Sequence, residues 1–85
     1  MHRIAPEVRS SLIHKPAVVE ITVRVNEKGR VTAARTVNAT PAIPADLPAQ
    51  AIDASRQWIF EPAKSHGHNV LSDYTIVYSF NPATL

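Results

Sequence analysis

The 85-residue sequence contains no cysteine, which excludes disulfides, thiolate zinc sites and thiol chemistry while leaving the compartment open. Glycine is nearly as scarce, with two in the chain, so no glycine-rich loop can cradle a phosphate. Aromatics are few, and Trp58, Phe60, Tyr74, Tyr78 and Phe80 all fall in the last third, which centres the expected core there. No hydrophobic run approaches the roughly 18 residues of a membrane helix, and the N-terminus has no apolar signal-peptide segment. An excess of one charge is also missing. Nine Lys and Arg against seven Asp and Glu give a net +2 without a run of like charge, too weak and scattered for nucleic acid or an anionic membrane surface.

What is present describes one folded domain over residues 1–85, with its core in residues 17–81. Hydrophobic residues make up 45% and charged residues 19% of the chain, a balance that separates it from disordered sequences. Every element must share one core, which at this size keeps on the order of 3–5 kcal/mol after conformational entropy.

Pro6 is placed to be the first helical residue of a short leading helix with Val8, Leu12 and Ile13 on one side, ended by Pro16. Residues 17–26 alternate strictly: Val19, Ile21, Val23 and Val25 on one face, Glu20, Thr22 and Arg24 on the other, a half-buried strand. Asn26-Glu27-Lys28-Gly29 is a turn tetrad, so residues 30–38 return as the hairpin partner. In that strand Arg35 shares a face with Val31, Ala33 and Val37. Either a bulge switches parity or the guanidinium reaches water at the sheet margin.

After a proline-punctuated loop, Asp46 is placed to cap a helix whose stripe is Leu47, Ala51, Ala54 and Trp58 and which Pro62 ends. Residues 64–69 read as a polar connection, and Val70, Tyr74, Ile76, Tyr78 and Phe80 then alternate with Asp73, Thr75 and Ser79. The expected fold is α+β, in the order αββαβ: a three-stranded antiparallel sheet of order 2-1-3 with two helices on one face.

The chemistry-bearing residues do not assemble a catalyst on paper. His66 and His68 form a His-x-His pair without a third ligand spaced nearby, so no metal site and no cofactor is expected. Asp53 and Arg56 read as an exposed ion pair worth about 0.2–0.5 kcal/mol. Ser10, Ser11 and His14 have neither a glycine-rich elbow nor an orienting carboxylate, and no enzyme is expected. Trp58 reads as core.

The last strand carries the functional expectation. At the edge of a 2-1-3 sheet, Val70, Leu71, Ser72, Asp73, Tyr74, Thr75, Ile76, Val77, Tyr78, Ser79 and Phe80 would present an unpaired backbone ladder guarded by one charge, Asp73. Such an edge can take in an extended peptide as an added strand. It also permits strand-exchanged homodimers.

Residues 18–80 resemble the C-terminal domain of TonB-type energy transducers. The matching marks are Asn26-Glu27-Lys28-Gly29-Arg30-Val31, the run Trp58-x-Phe60-x-Pro62-Ala63, then Gly67 and Val70, and the terminal Tyr78-x-Phe80; Gly29, Trp58, Phe60, Pro62, Ala63 and Gly67 serve there as structural motif residues. Ala5-Pro6-Glu7 and Pro16 fall where the family carries a leading helix. The resemblance implies a periplasmic module of an inner-membrane-anchored protein, its anchor and proline-rich linker lying outside this chain. It further implies a module that grips a segment of an outer-membrane receptor with its last strand and draws on the proton gradient through ExbB and ExbD. The alternative is a structural or sensory appendage of a membrane-bound peptidase receptor or other envelope protein, with no transport role.

Overall fold

The computed structural model describes residues 2–83. Its elements are β1 (His2–Ile4), β2 (Val8–Ser10), β3 (Ala17–Val25), β4 (Val31–Ala39), α1 (Asp46–Arg56), β5 (Ala63–Ser65), β6 (His68–Val70) and β7 (Ser72–Pro82). The alternating residues of β3, an inner strand of the sheet, divide between its faces: Val19, Ile21, Val23 and Val25 are fully buried on one, and Glu20, Thr22 and Arg24 turn to the other. β4 returns antiparallel along one side of it and β7 runs antiparallel along the other. Asn26 closes the β3–β4 turn: its side-chain oxygen accepts the Lys28 and Arg30 N–H groups at 2.9 and 3.0 Å.

The expected three-stranded antiparallel sheet with two helices is not what forms. The sheet has five strands in mixed orientation, ordered β1-β7-β3-β4 with β2 also on β7, and a separate two-stranded ribbon pairs β5 with β6. Among the described residues there is one α-helix. The leading helix is replaced by β1 and β2, which run parallel to β7. Ala5 offers no capping side chain, a helix of two or three turns is marginal alone, and β7 presents a ladder of backbone groups that the extended chain can satisfy.

Helix α1 begins with Asp46 in its first turn rather than at the cap, where Ala45 stands without a side-chain hydrogen bond. It stops at Arg56, well before Pro62, and its buried stripe is Leu47, Ala51 and Ser55; Ala54 is exposed, and Trp58 lies beyond the helix, half-buried. The chain leaves early because residues 58–60 find other partners. The Phe60 N–H donates to the Gly29 carbonyl at 2.9 Å, and Ile59 forms an isolated antiparallel bridge with Arg30.

The expected loop at residues 64–69 is the β5–β6 hairpin, in register Ala63↔Val70, Lys64↔Asn69 and Ser65↔His68. Its two-residue turn is His66-Gly67, both at positive φ (52° and 80°), the backbone that a type I′ turn requires. Arg35 is settled by two irregularities in β4. Register shifts fall between Glu20 and Ile21 and between Arg24 and Val25, leaving Val37 and Thr32 unpaired with β3, and Arg35 sits opposite Thr22 on the open face.

Inner faces of β3 and β7, with Leu47 and Ala51 of α1 and the Phe60 ring, make the core. The Phe60 ring lies between its neighbours, its centroid 5.6 Å from Trp58 and 4.8 Å from Tyr74. Tyr78 links sheet to helix through a 2.8 Å hydrogen bond between its hydroxyl and Ser55 Oγ, which also donates to the Ala51 carbonyl at 2.7 Å. Burial pushes the Tyr78 hydroxyl above its ordinary pKa, while hydrogen bonds to the Ser55 and Trp58 side chains pull it partway back.

Candidate functional site: the outer ladder of β7

Both sides of the last strand are occupied. On its inner side β7 pairs with β3 over nine consecutive residues, from Val25↔Ser72 to Ala17↔Phe80, without a register shift. On its outer side it pairs with β1 through His2↔Thr75, Arg3↔Ile76 and Ile4↔Val77, and with β2 through Val8↔Phe80, Arg9↔Asn81 and Ser10↔Pro82. The expected free edge is therefore closed by the chain's own N-terminal segment. Val70 belongs to the β5–β6 hairpin and Leu71 to the exposed link after it, so residues 70–80 are not one strand.

Strand geometry tells which groups face which neighbour. The Val77 carbonyl accepts the Ala5 N–H at 2.9 Å; with a two-residue repeat, Thr75, Val77 and Ser79 point their backbone groups outward, and Ile76, Tyr78 and Phe80 point theirs to β3. Side chains alternate at right angles to this ladder. Tyr74, Ile76, Tyr78 and Phe80 are buried, whereas Asp73 pairs with Arg24 at 3.2 Å and Thr75 with Thr22 at 3.2 Å on the open face.

The N-terminal segment, residues 2–10, is a poorer partner than β3. Between Ile4 and Val8 it advances four residues while β7 advances three, from Val77 to Phe80, so one residue is extruded at 5–7, where Pro6 has no N–H to give. Ala5 is 5% exposed and Val8 packs on the core, but Ile4 is 82% exposed and Pro6, Glu7 and Arg9 face water. Glu7 pairs with Arg9 at 2.6 Å, within the segment. The Arg3 guanidinium stands 5.7 Å from the Tyr74 ring centroid, extending the Trp58–Phe60–Tyr74 stack to this segment.

At the other margin of the sheet, β4 presents the second ladder. Its two register shifts place unpaired Thr32 and Val37 along it, and such bulges blunt an edge against added strands.

Of the motif residues, Gly29, Phe60 and Pro62 meet at the β3–β4 turn. Gly29 has φ +81°, and a side chain there would collide with the Phe60 carbonyl. Ala63 and Gly67 build the β5–β6 ribbon. The other candidates stay apart. Ser10 ends β2 with its Oγ accepting the Leu12 N–H at 3.1 Å, while Ser11 and His14 are exposed. Asp53 and Arg56 are exposed and form no ion pair, the salt bridges among the described residues being Glu7–Arg9 and Arg24–Asp73. His66 and His68 sit on the hairpin, and no cluster of three metal-binding side chains occurs among the described residues. Sequence reasoning missed residues 2–10 as part of the site; the one signal, Ile4 and Val8 flanking Ala5-Pro6-Glu7, reads equally as a helix start.

The architecture is that of a small domain with a mixed sheet, one helix among the described residues, and a last strand whose outer ladder is filled by the chain's own N-terminal segment. Residues 14–82 match the family described as Gram-negative bacterial TonB protein C-terminal, and the chain belongs to it. No curated protein matches the sequence. Domains of this family are periplasmic, non-enzymatic interaction modules that engage outer-membrane receptors. No helix among the described residues is long and apolar enough to cross a membrane.

Proposed function

We propose that this domain is the non-catalytic periplasmic docking module of a TonB-type energy transducer. It takes an extended peptide of an outer-membrane receptor as a strand along the outer ladder of residues 72–80, and it passes on a pull powered through ExbB and ExbD. The observation that carries this reading is the contrast between the two margins of the sheet. The outer ladder of β7 is straight, holds one charge and already accepts short extended segments, whereas β4 is twice bulged. Main-chain hydrogen bonds to Thr75, Val77 and Ser79 would supply affinity, and the alternating side chains selectivity.

A photo-crosslinking residue at Val77 or Thr75, in the parent protein in energised Gram-negative cells, tests it. The expected adduct is with an outer-membrane receptor, and a proline at Val77 removes it. Adducts from Thr36 on β4 alone would overturn the reading. The filled ladder also favours a second reading, an appendage whose β7 serves only its own fold; crosslinks confined to its own envelope protein would favour that one.

A further inference from the structure

Resting on the β7 docking ladder, we propose that residues 2–10 are a releasable internal stand-in for the partner's strand, so that docking requires this strap to peel away. Four observations converge on it. The strap fills the same outward groups, as the Ala5 N–H on the Val77 carbonyl shows. Its hold is divided into two three-residue pairings around an extruded proline, and they are parallel, the less stable pairing per residue. It buries little beyond Ala5 and part of Val8. And it lies outside residues 14–82, the part that matches the family.

The nine pairs between β3 and β7 stay intact when the strap leaves, so its release is a local opening and not unfolding. Val8 and Ser10 also line a groove of about 530 Å³ together with Ile13 and Leu47. The strap's chemistry describes what replaces it: an extended segment running parallel to β7, with a small apolar side chain in the place of Ala5 and a branched one against Phe80 in the place of Val8. As a tethered competitor it acts at an effective concentration on the order of millimolar. The apparent affinity of an incoming strand is lowered by the fraction of molecules whose strap is closed.

The test uses the full chain and, as probe, a fluorescent synthetic peptide of residues 2–10. Ile4 and Val77 are paired neighbours on the open face, and the native chain has no cysteine, so I4C/V77C makes a single reducible staple that holds the strap shut. Ala5→Asp puts a charge at a buried strap position and loosens it. By fluorescence anisotropy the loosened chain should bind the peptide at least about tenfold more tightly than the native chain. The oxidised staple should bind none and recover on reduction, and the reduced form also serves as the control for folding. Amide exchange should show new protection at Thr75, Val77 and Ser79. If the staple blocks binding but Ala5→Asp and native chains bind equally, the strap is no brake, and the β7 ladder survives as the site. If all three forms bind equally, with protection away from β7, the docking ladder itself is wrong.

Discussion

Gly29 and Phe60 are joined backbone to backbone, and the space between them admits no side chain. The contact ties the β3–β4 turn to the chain that leaves α1, and it aims the Phe60 ring at Tyr74, 4.8 Å away between centroids. Gly29→Ala must both adopt positive φ and push the Phe60 peptide aside, so it should cost at least about 2 kcal/mol. Gly67→Ala meets the same φ demand with open space around it and should cost about 1 kcal/mol. Urea unfolding of the two variants measures the difference, which isolates the steric part of the Gly29 effect.

Two other residues hold positive φ without being glycine, Ala42 at 61° and His66 at 52°. Ala42→Gly should relieve the left-handed strain by more than it adds to the unfolded chain's entropy, for a net gain of about 0.5 kcal/mol. His66→Asn creates the Asn-Gly pair that a type I′ hairpin turn favours and should gain a similar amount, about 0.5 kcal/mol. Both appear as a raised Tm.

Tyr78 gives the fold an alkaline limit. Its hydroxyl is held protonated by burial, so the folded-state pKa stands above the unfolded value of 10.0. Its contribution is complete below pH 10 and is lost as pH rises through the folded pKa, because there the unfolded chain binds fewer protons than the native one. Tyr78→Phe should flatten stability against pH above 10 and cost about 1 kcal/mol at neutral pH through the lost Ser55 hydrogen bond. Thermal melts from neutral to alkaline pH check both parts.

What could be read from the sequence is what local pattern decides. The two-residue repeat of β3 and the inward run Tyr74, Ile76, Tyr78 and Phe80 need only alternation to be seen, and Asn26 and Gly29 announce their turn through chemistry confined to five residues. What escaped depends on partners far along the chain. His2–Ile4 becomes strand because β7 lies alongside, with Ala5 tied to Val77 just beyond it, and α1 stops at Arg56 because Phe60 is held by Gly29. Pro6 has two meanings, first residue of a helix or a link that lacks an N–H, and only the partner chooses between them. Arg35 reaches the open face through a bulge that its own sequence does not mark. The motif residues are visible one by one, whereas the pairing of residues 2–10 along the outer ladder of β7 is not.

The strap should also differ from the rest of the sheet in the ease with which it opens. In native-state hydrogen exchange, Ala5 should exchange through an opening that needs less free energy than global unfolding and changes little with low denaturant, since releasing residues 2–10 exposes little apolar surface. Ile21 and Ile76, on strands paired along nine consecutive residues and fully buried, should exchange only with global unfolding. Equal protection of Ala5 and Ile76 would mean that strap and sheet open as one unit. The strap would then be an ordinary part of the fold, because a segment that leaves only when β3 and β7 separate cannot make room for a partner on a standing sheet.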